Sequence, residues 1–369
     1  MTSEGLGMTI KEHDKTPRAM GFHMPAEWEP HAAVWLAWPH DPVSFPHLDE
    51  AEASFADFVR EVHDSERVEL LVLREAMRER AMKMLQERRV NAANVNFHIA
   101  DYADIWFRDY GPIFVVNRAT RQLAMTKWIF NSWGNKYEDL LQDNRVPYFM
   151  NESLHLPMFE PGIVLEGGSI DGNGTGTLLT TEQCLLNKNR NPQLSKAEIE
   201  KYLSDTLGAT HCIWLKDGIE GDDTDGHIDD IARFVNPTTV LCAYQPDKND
   251  PDHEVLKTNY DLLQCATDQD GSKLNVIQLP VPGWVGDRSA DASEDASGNG
   301  ARRLPASYAN FYIGNTKVLV PTFGVENDRK ALEAIQSVFP DRRVVGINAF
   351  HLVFGFGTFH CMTQQQPAA

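Results

Sequence analysis

The chain is short of cysteine, of basic charge and of long apolar runs, and each shortage excludes a class of protein. Its five cysteines, at 184, 212, 242, 265 and 361, are an odd count with no C-x-x-C pair. Neither a disulfide framework nor a zinc knuckle is indicated. No apolar run approaches the roughly 18 residues needed to cross a bilayer. The opening MTSEGLGMTIKEHDKTPR lacks the basic start and apolar stretch of a secretion signal. The cytosol is therefore the expected location, with no membrane partner. Lys and Arg number 34 against 53 Asp and Glu, a formal net charge of −19. That deficit argues against nucleic acid and anionic membrane surfaces and favours a small cationic guest.

What is present suits a large globular protein. Hydrophobic residues make up 42% of the 369 and charged residues 24%, which supplies a sizeable core and excludes wholesale disorder. Amphipathic spacing predicts helices over 50–63, with Phe55, Phe58, Val59 and Val62 on one face, and over 74–89. A further helix over 195–207 opens on the capping-box pair Ser195 and Glu198 and stops at Gly208. Two more are expected at about 252–266 and 327–339. Between the helices, four segments read as strand, turn, strand: GPIFVVNRATRQLAMTKWIF, GGSIDGNGTGTLLTT, IARFVNPTTVLCAY and NFYIGNTKVLVPTF. Four hairpins of one style indicate an internal repeat within a single domain spanning 1–369. Polar residues stand just before or at the start of three of them, in W-F-R-D-Y-G, L-E-G-G and G-H-I-D-D. Repetition around a common axis would gather those residues at one place. The stretch 284–303, WVGDRSADASEDASGNGARR, reads as a mobile surface loop inside the repeat.

Several residues carry potential chemistry. His227 and Asp229, at i and i+2 before an apolar strand, share a face if that strand begins at once, and form an acid/base and cation-binding pair. Asp222, Asp223, Asp225, Asp229 and Asp230 crowd nine positions, and their mutual repulsion calls for a cation. Asp109 closes an aromatic segment containing Trp106, beside Arg108 with which it would form an incidental ion pair in a purely structural reading. Glu166 ends an apolar run and is expected to point inward. Asp171, Asn173, Thr175, Gly176 and Glu182 have the spacing of a calcium loop, but their flanks read as strands, so a hairpin turn is expected. Cys361 follows Gly355 and Gly357, which permit close backbone approach, and adjoins His360, whose charge would lower the thiol pKa. The other cysteines, Cys184 among them, read as inert packing. One thiol, one histidine and three carboxylates match the planar fork of a guanidinium and a nucleophile for its central carbon. Such chemistry needs no metal and no organic cofactor.

With those residues in place, the sequence resembles the agmatine deiminase family, within the wider group that includes bacterial peptidylarginine deiminases. The resemblance rests on MPAEWEPHAAVWLAWPHDP (24–42), WFRDYGP (106–112), FNSWGNKY (130–137), LEGGSIDGNGTGTLLTTEQCLLNKNRNP (165–192), GDDTDGHIDD (221–230), RRLPASYANFYI (302–313) and HCMTQQQP (360–367). It implies an α/β fold, a five-bladed propeller around a central site. It implies Cys361 as nucleophile, His227 as general acid/base, Asp109 and Asp229 as guanidinium clamps and Glu166 as a carboxylate beside His227, with Trp106 lining the pocket. Asp222 and Asp223 are candidate partners for a substrate ammonium, and Arg108, Arg302 and Arg303 are the basic residues that could meet a substrate carboxylate instead. Phe356 departs from the more glycine-rich pattern of the family, and the 284–303 loop is long and acidic. Deimination of free arginine or peptidyl-arginine is the near alternative. A manganese ureohydrolase using Asp225, His227 and Asp229 is a second, and a non-catalytic polyamine-binding protein a third. The expected partner is a small cationic guanidino compound, and a homo-oligomer is compatible with the chain.

Overall fold

Turns bearing Asn, Gly or Pro close four antiparallel hairpins in the computed structural model, which describes residues 9–10, 16–286 and 302–369. They pair Ile113–Asn117 with Gln122–Thr126, Asp171–Gly172 with Thr177–Thr181, Ala232–Asn236 with Thr239–Tyr244, and Tyr312–Ile313 with Lys317–Thr322. At the second turn, the Asn173 side-chain oxygen accepts the amides of Thr175, Gly176 and Thr177 at 2.9–3.1 Å. Gly174 and Gly176 there take positive φ angles of 72° and 129°, which a side chain would oppose. The calcium-like spacing is thus a hairpin turn, as its flanks predict.

Each hairpin's second strand leads through a helix to a third strand that lies parallel to it. Thr239–Tyr244, for instance, passes through Asp252–Cys265 to Asn275–Pro280, and Lys317–Thr322 through Asn327–Val338 to Arg343–Asn348. The fifth sheet has the same order but joins the two ends of the chain. Gln364–Pro367 runs antiparallel to His31–Ala37, which leads through Leu48–Val62 to Arg67–Val72 and then to Val95–Ile99. The described residues therefore form five sheets in an α/β fold.

The helices form where their periodicity places them. Leu48–Val62 buries Phe55, Phe58, Val59 and Val62, each worth about 1.5–3 kcal/mol on burial. Phe58 meets Phe359 at 5.3 Å between ring centroids, so this helix supports the segment that carries Cys361. Lys196–Leu207 has both halves of the Ser195–Glu198 capping box, and Gly208 ends it at φ 77°. The mobile-loop expectation for 284–303 falls largely on 287–301, outside the described residues. Among those described, no helix is long and apolar enough to cross a membrane.

One relationship positions the site. Asp109, Glu166, Asp229, Asn310 and Cys361 each lie a few residues ahead of the first strand of one of the five antiparallel pairs. Equivalent corners of five similar units thus each supply a polar side chain.

Candidate active site

Asp109 enters from a single helical turn, Phe107–Tyr110. Its Oδ2 accepts the Trp133 indole N–H at 2.9 Å and its Oδ1 the Gly168 amide at 3.1 Å. Arg108 is turned away, toward Glu27 at 3.2 Å and the His360 carbonyl, so no Arg108–Asp109 pair forms. Burial pushes the Asp109 carboxyl up to about 6; His227 opposes that rise, and Asp229 and Glu166 add to it.

His227 and Asp229 do not alternate along a strand. Ile228–Asp230 is a 3₁₀ turn with His227 just ahead of it, and the strand begins only at Ala232. They face one space for a different reason. A Cβ on Gly168 would fall 2.6 Å from His227 Nδ1, 2.8 Å from Asp109 Oδ1 and 3.1 Å from Asp229 Oδ2. Only glycine leaves that space to the three side chains. His227 Nδ1 lies 3.6 Å from Asp109 Oδ1, and neither ring nitrogen completes a hydrogen bond. Burial opposes a charge on this ring, but Asp109, Cys184 and Asp229 more than offset it, and His227 holds its proton well above the ordinary histidine range.

Cys361 is buried, with Sγ 3.0 Å from Asn310 Nδ2 and 3.5 Å from Asp229 Oδ2. Burial, then Asp229, Asp230 and Asp109, push its thiol well above the ordinary range, and donation from Asn310 works the other way. The expected help from His360 does not arrive. That ring bridges Asp229 Oδ2 and Glu27 Oε1, both at 2.7 Å, and so fixes the carboxylate rather than the thiol. Gly355 and Gly357 also serve differently from expectation: a Cβ on either would strike the Trp106 ring, at 2.7 and 2.5 Å. They make room for the indole.

Glu166 does point inward and is fully buried. Its Oε1 accepts Arg190 Nε at 2.7 Å, while Oε2 has no partner. The acidic segment is largely neutralised from within the protein. Asp225 is engaged by Arg190 at 2.6 Å and by Asn189 and Lys136 at 2.9 Å, so Asp225, His227 and Asp229 do not assemble into one metal-ligand set. Asp222 accepts the amides of Thr224 and Gly226, which removes it as a partner for substrate. Asp223 accepts the Tyr137 hydroxyl and stays at the site.

Trp106, Asp109, Cys361, Asp223, Tyr137 and Arg302 share a cavity of about 300 Å³. Among the described residues, five aspartates line it, Asp41, Asp104, Asp109, Asp139 and Asp223, against the single arginine Arg302. Arg302 lies 4.1 Å over the ring of Phe356. Of the other basic candidates, Arg303 is engaged by Asp250 and Asp252 and Arg108 by Glu27. Phe356 itself has φ 70°, a left-handed conformation that explains why glycine suits this position.

Asn310 escaped the sequence reading. Besides its donation to Cys361, its Nδ2 lies 3.3 Å from Asp229, and its Oδ1 accepts from the Thr358 hydroxyl and the amides of His360 and Cys361 at 2.8–3.3 Å. Its signal was positional: in Y-A-N-F-Y-I it precedes the fourth hairpin as Asp109, Glu166 and Asp229 precede the other three.

The sequence pattern of the Porphyromonas-type peptidyl-arginine deiminase family matches residues 23–367. The agmatine deiminase of Medicago truncatula is 40% identical, over 96% of this chain and 99% of that one. Among solved structures, an agmatine deiminase of Enterococcus faecalis aligns with a TM-score of 0.89 at 35% identity, covering 98% of this chain and 99% of that one. A substrate-bound agmatine deiminase of C. jejuni aligns with a TM-score of 0.81 at 30% identity, covering 94% and 96%.

Proposed function

The chain belongs to the Porphyromonas-type peptidyl-arginine deiminase family, and from that premise we propose that it is an agmatine deiminase, a hydrolase that converts the guanidinium of agmatine to N-carbamoylputrescine and ammonia. The observation that carries this reading is the convergence of Asp109, His227 and Asp229 on the space left by Gly168, with Cys361 Sγ 3.5 Å from Asp229. The five sheets are, in the same reading, blades of a propeller, each contributing one corner residue to the axis.

The electrostatics set the order of events. Burial, with three aspartates adding to it, pushes the Cys361 thiol up and favours its protonated form in the empty site. A bound guanidinium, held by Asp109 and Asp229 through charge-assisted hydrogen bonds, offsets that field and lets the thiol ionise, its proton passing to solvent. The thiolate attacks the guanidino carbon, forming a C–S bond. His227, which enters protonated, gives its proton to a departing nitrogen; the C–N bond breaks, ammonia leaves and a thiouronium remains. The now neutral imidazole takes a proton from water as that water attacks the same carbon. Collapse breaks the C–S bond, the hydroxyl proton passes to the departing thiolate to restore the thiol, and the carbamoyl product is released with His227 protonated again. Glu166, held through Oε1 by Arg190, brings a carboxylate oxygen within 4.8 Å of a His227 ring nitrogen.

Substrate choice rests on the far end of the molecule. Asp109 and Asp229 meet the guanidinium shared by agmatine and arginine, and cannot discriminate. The other four aspartates around the cavity, Asp41, Asp104, Asp139 and Asp223, favour the ammonium of agmatine and repel the carboxylate that arginine adds. Among the described residues, Arg302 is the one cavity residue that favours arginine. Incubating the purified protein with agmatine, arginine and an arginyl peptide, and measuring ammonia and the carbamoyl product, tests the proposal. Higher kcat/KM on agmatine supports it, and preference for either other substrate overturns it.

A further inference from the structure

Behind His227 lies a second thiol, one of the cysteines expected to be inert packing. Cys184 sits in the short helix Glu182–Leu185, whose capping residue Thr181 accepts the Cys184 amide at 3.2 Å. The same Thr181 hydroxyl donates to the carbonyl of Gly226 at 2.6 Å, tying the thiol's helix to the residue before His227. As a result Glu166, Cys184 and His227 bring one carboxylate oxygen, one sulfur and one ring nitrogen within 4.8 Å of one another, all buried. Glu166 Oε2 and both nitrogens of His227 lack hydrogen-bond partners, although Glu166 is 0% and His227 1% exposed. Unpaired buried polar atoms are costly, and two side chains that carry them each bring one atom into a cluster with the same thiol, which calls for an explanation.

We propose that Glu166, Cys184 and His227 form a binding site for a soft divalent cation of the zinc type, and that its occupancy silences the enzyme by sequestering His227. Carboxylate, thiolate and imidazole are a zinc donor set, and the thiolate and imidazole select zinc or cobalt over magnesium, calcium and manganese. Tetrahedral zinc with bonds of about 2.0–2.3 Å separates its ligands by roughly 3.3–3.8 Å, so the donors need close by only about 1 Å. Arg190 occupies Oε1 of Glu166 and leaves Oε2 for the ion. The other such cluster among the described residues, Asp229, Asp230 and Cys361, brings no imidazole and belongs to the active site already described.

Binding rests on the donor atoms alone, whereas inhibition rests on the deiminase reading, and two measurements separate them. Cobalt(II) added to the metal-free protein should produce a thiolate-to-cobalt absorption band that persists in Cys361→Ala and is lost in Cys184→Ser. Zinc chloride should inhibit agmatine turnover reversibly, chelation should restore it, and Cys184→Ser should raise the half-inhibitory zinc concentration by about 100-fold or more, since even outer partners of a metal are worth about 10–100-fold. The cobalt band reads binding without turnover, so a poorly active Cys184→Ser protein still decides the matter. A cobalt band through Cys184 without agmatine turnover would support this site and contradict the deiminase reading instead. Absence of the band, its loss in Cys361→Ala, or unchanged zinc potency in Cys184→Ser would overturn the proposal.

Discussion

The amide nitrogen of Asn310 stands 3.0 Å from Cys361 Sγ and 3.3 Å from Asp229 Oδ2, so one side chain ties the thiol proposed as nucleophile to a carboxylate proposed to clamp the guanidinium. Its oxygen meanwhile accepts the amides of His360 and Cys361 and fixes the loop on which the thiol stands. Removing that donor should disfavour the thiolate. Asn310→Ala is expected to lower kcat by about 10²-fold or more, the scale of losing one donor to a developing anion, with a smaller change in KM. The inflection of Cys361 alkylation with pH should move upward in the same variant. An unmoved inflection would reduce Asn310 to a structural part.

The pH dependence of the empty enzyme follows from the field around the thiol. With its pKa raised by burial and by Asp229, Asp230 and Asp109, Cys361 is a neutral thiol at pH 7 and ionises only above the ordinary cysteine value of about 8.5. Iodoacetamide should therefore label it slowly at pH 7 and faster as pH rises, and Asp229→Asn should bring the inflection down. Half-maximal labelling below about pH 8 in the wild type would contradict this.

Glu166 and Arg190 are both fully buried and joined at 2.7 Å. Deleting one partner of such a pair strands the other, at a cost of about 3–5 kcal/mol. Glu166→Ala should lose about 3 kcal/mol in denaturant unfolding, the low end, because Asp225 continues to hold Arg190. A loss under about 1 kcal/mol would show the pair to be dispensable.

Phe356 is held at φ 70°, where a residue with a Cβ is strained by roughly 1–2 kcal/mol, and its ring carries Arg302. In Phe356→Gly the strain disappears and Arg302 is freed toward Asp223. Steady-state kinetics should show a higher KM for agmatine, little change in kcat and a smaller preference over arginine. Asp223→Asn should also lower kcat/KM for agmatine; no change in either variant would remove this end of the cavity from substrate choice.

The local elements were legible in the sequence, and the long-range ones were not. Helical periodicity and the Ser195–Glu198 box placed the helices to within a few residues, and turn chemistry placed four hairpins. The fifth antiparallel pair joins Gln364–Pro367 to His31–Ala37, and no local pattern connects segments so far apart. The parallel third strands were missed for the same reason. At the site, Asp109, Glu166, His227, Asp229 and Cys361 were visible as unusual polar residues beside apolar strands, and the structure brings them together. Their pairings were not visible: Arg108 leaves Asp109 for Glu27, His360 serves Asp229 rather than Cys361, and Asp225 turns to Arg190. Charge neighbours in sequence do not fix charge partners in space, because buried pairs are set by which corners of different sheets meet.

In the proposed mechanism Cys361 Sγ attacks the guanidino carbon. Acid quenching the enzyme during agmatine turnover, followed by mass spectrometry of its peptides, tests that directly. The account predicts an adduct of agmatine less ammonia on the peptide containing Cys361, absent from Cys361→Ser, with that variant losing at least about 10³-fold in kcat while remaining folded. An adduct on another cysteine, or a Cys361→Ser protein that turns over agmatine at the wild-type rate, would contradict it.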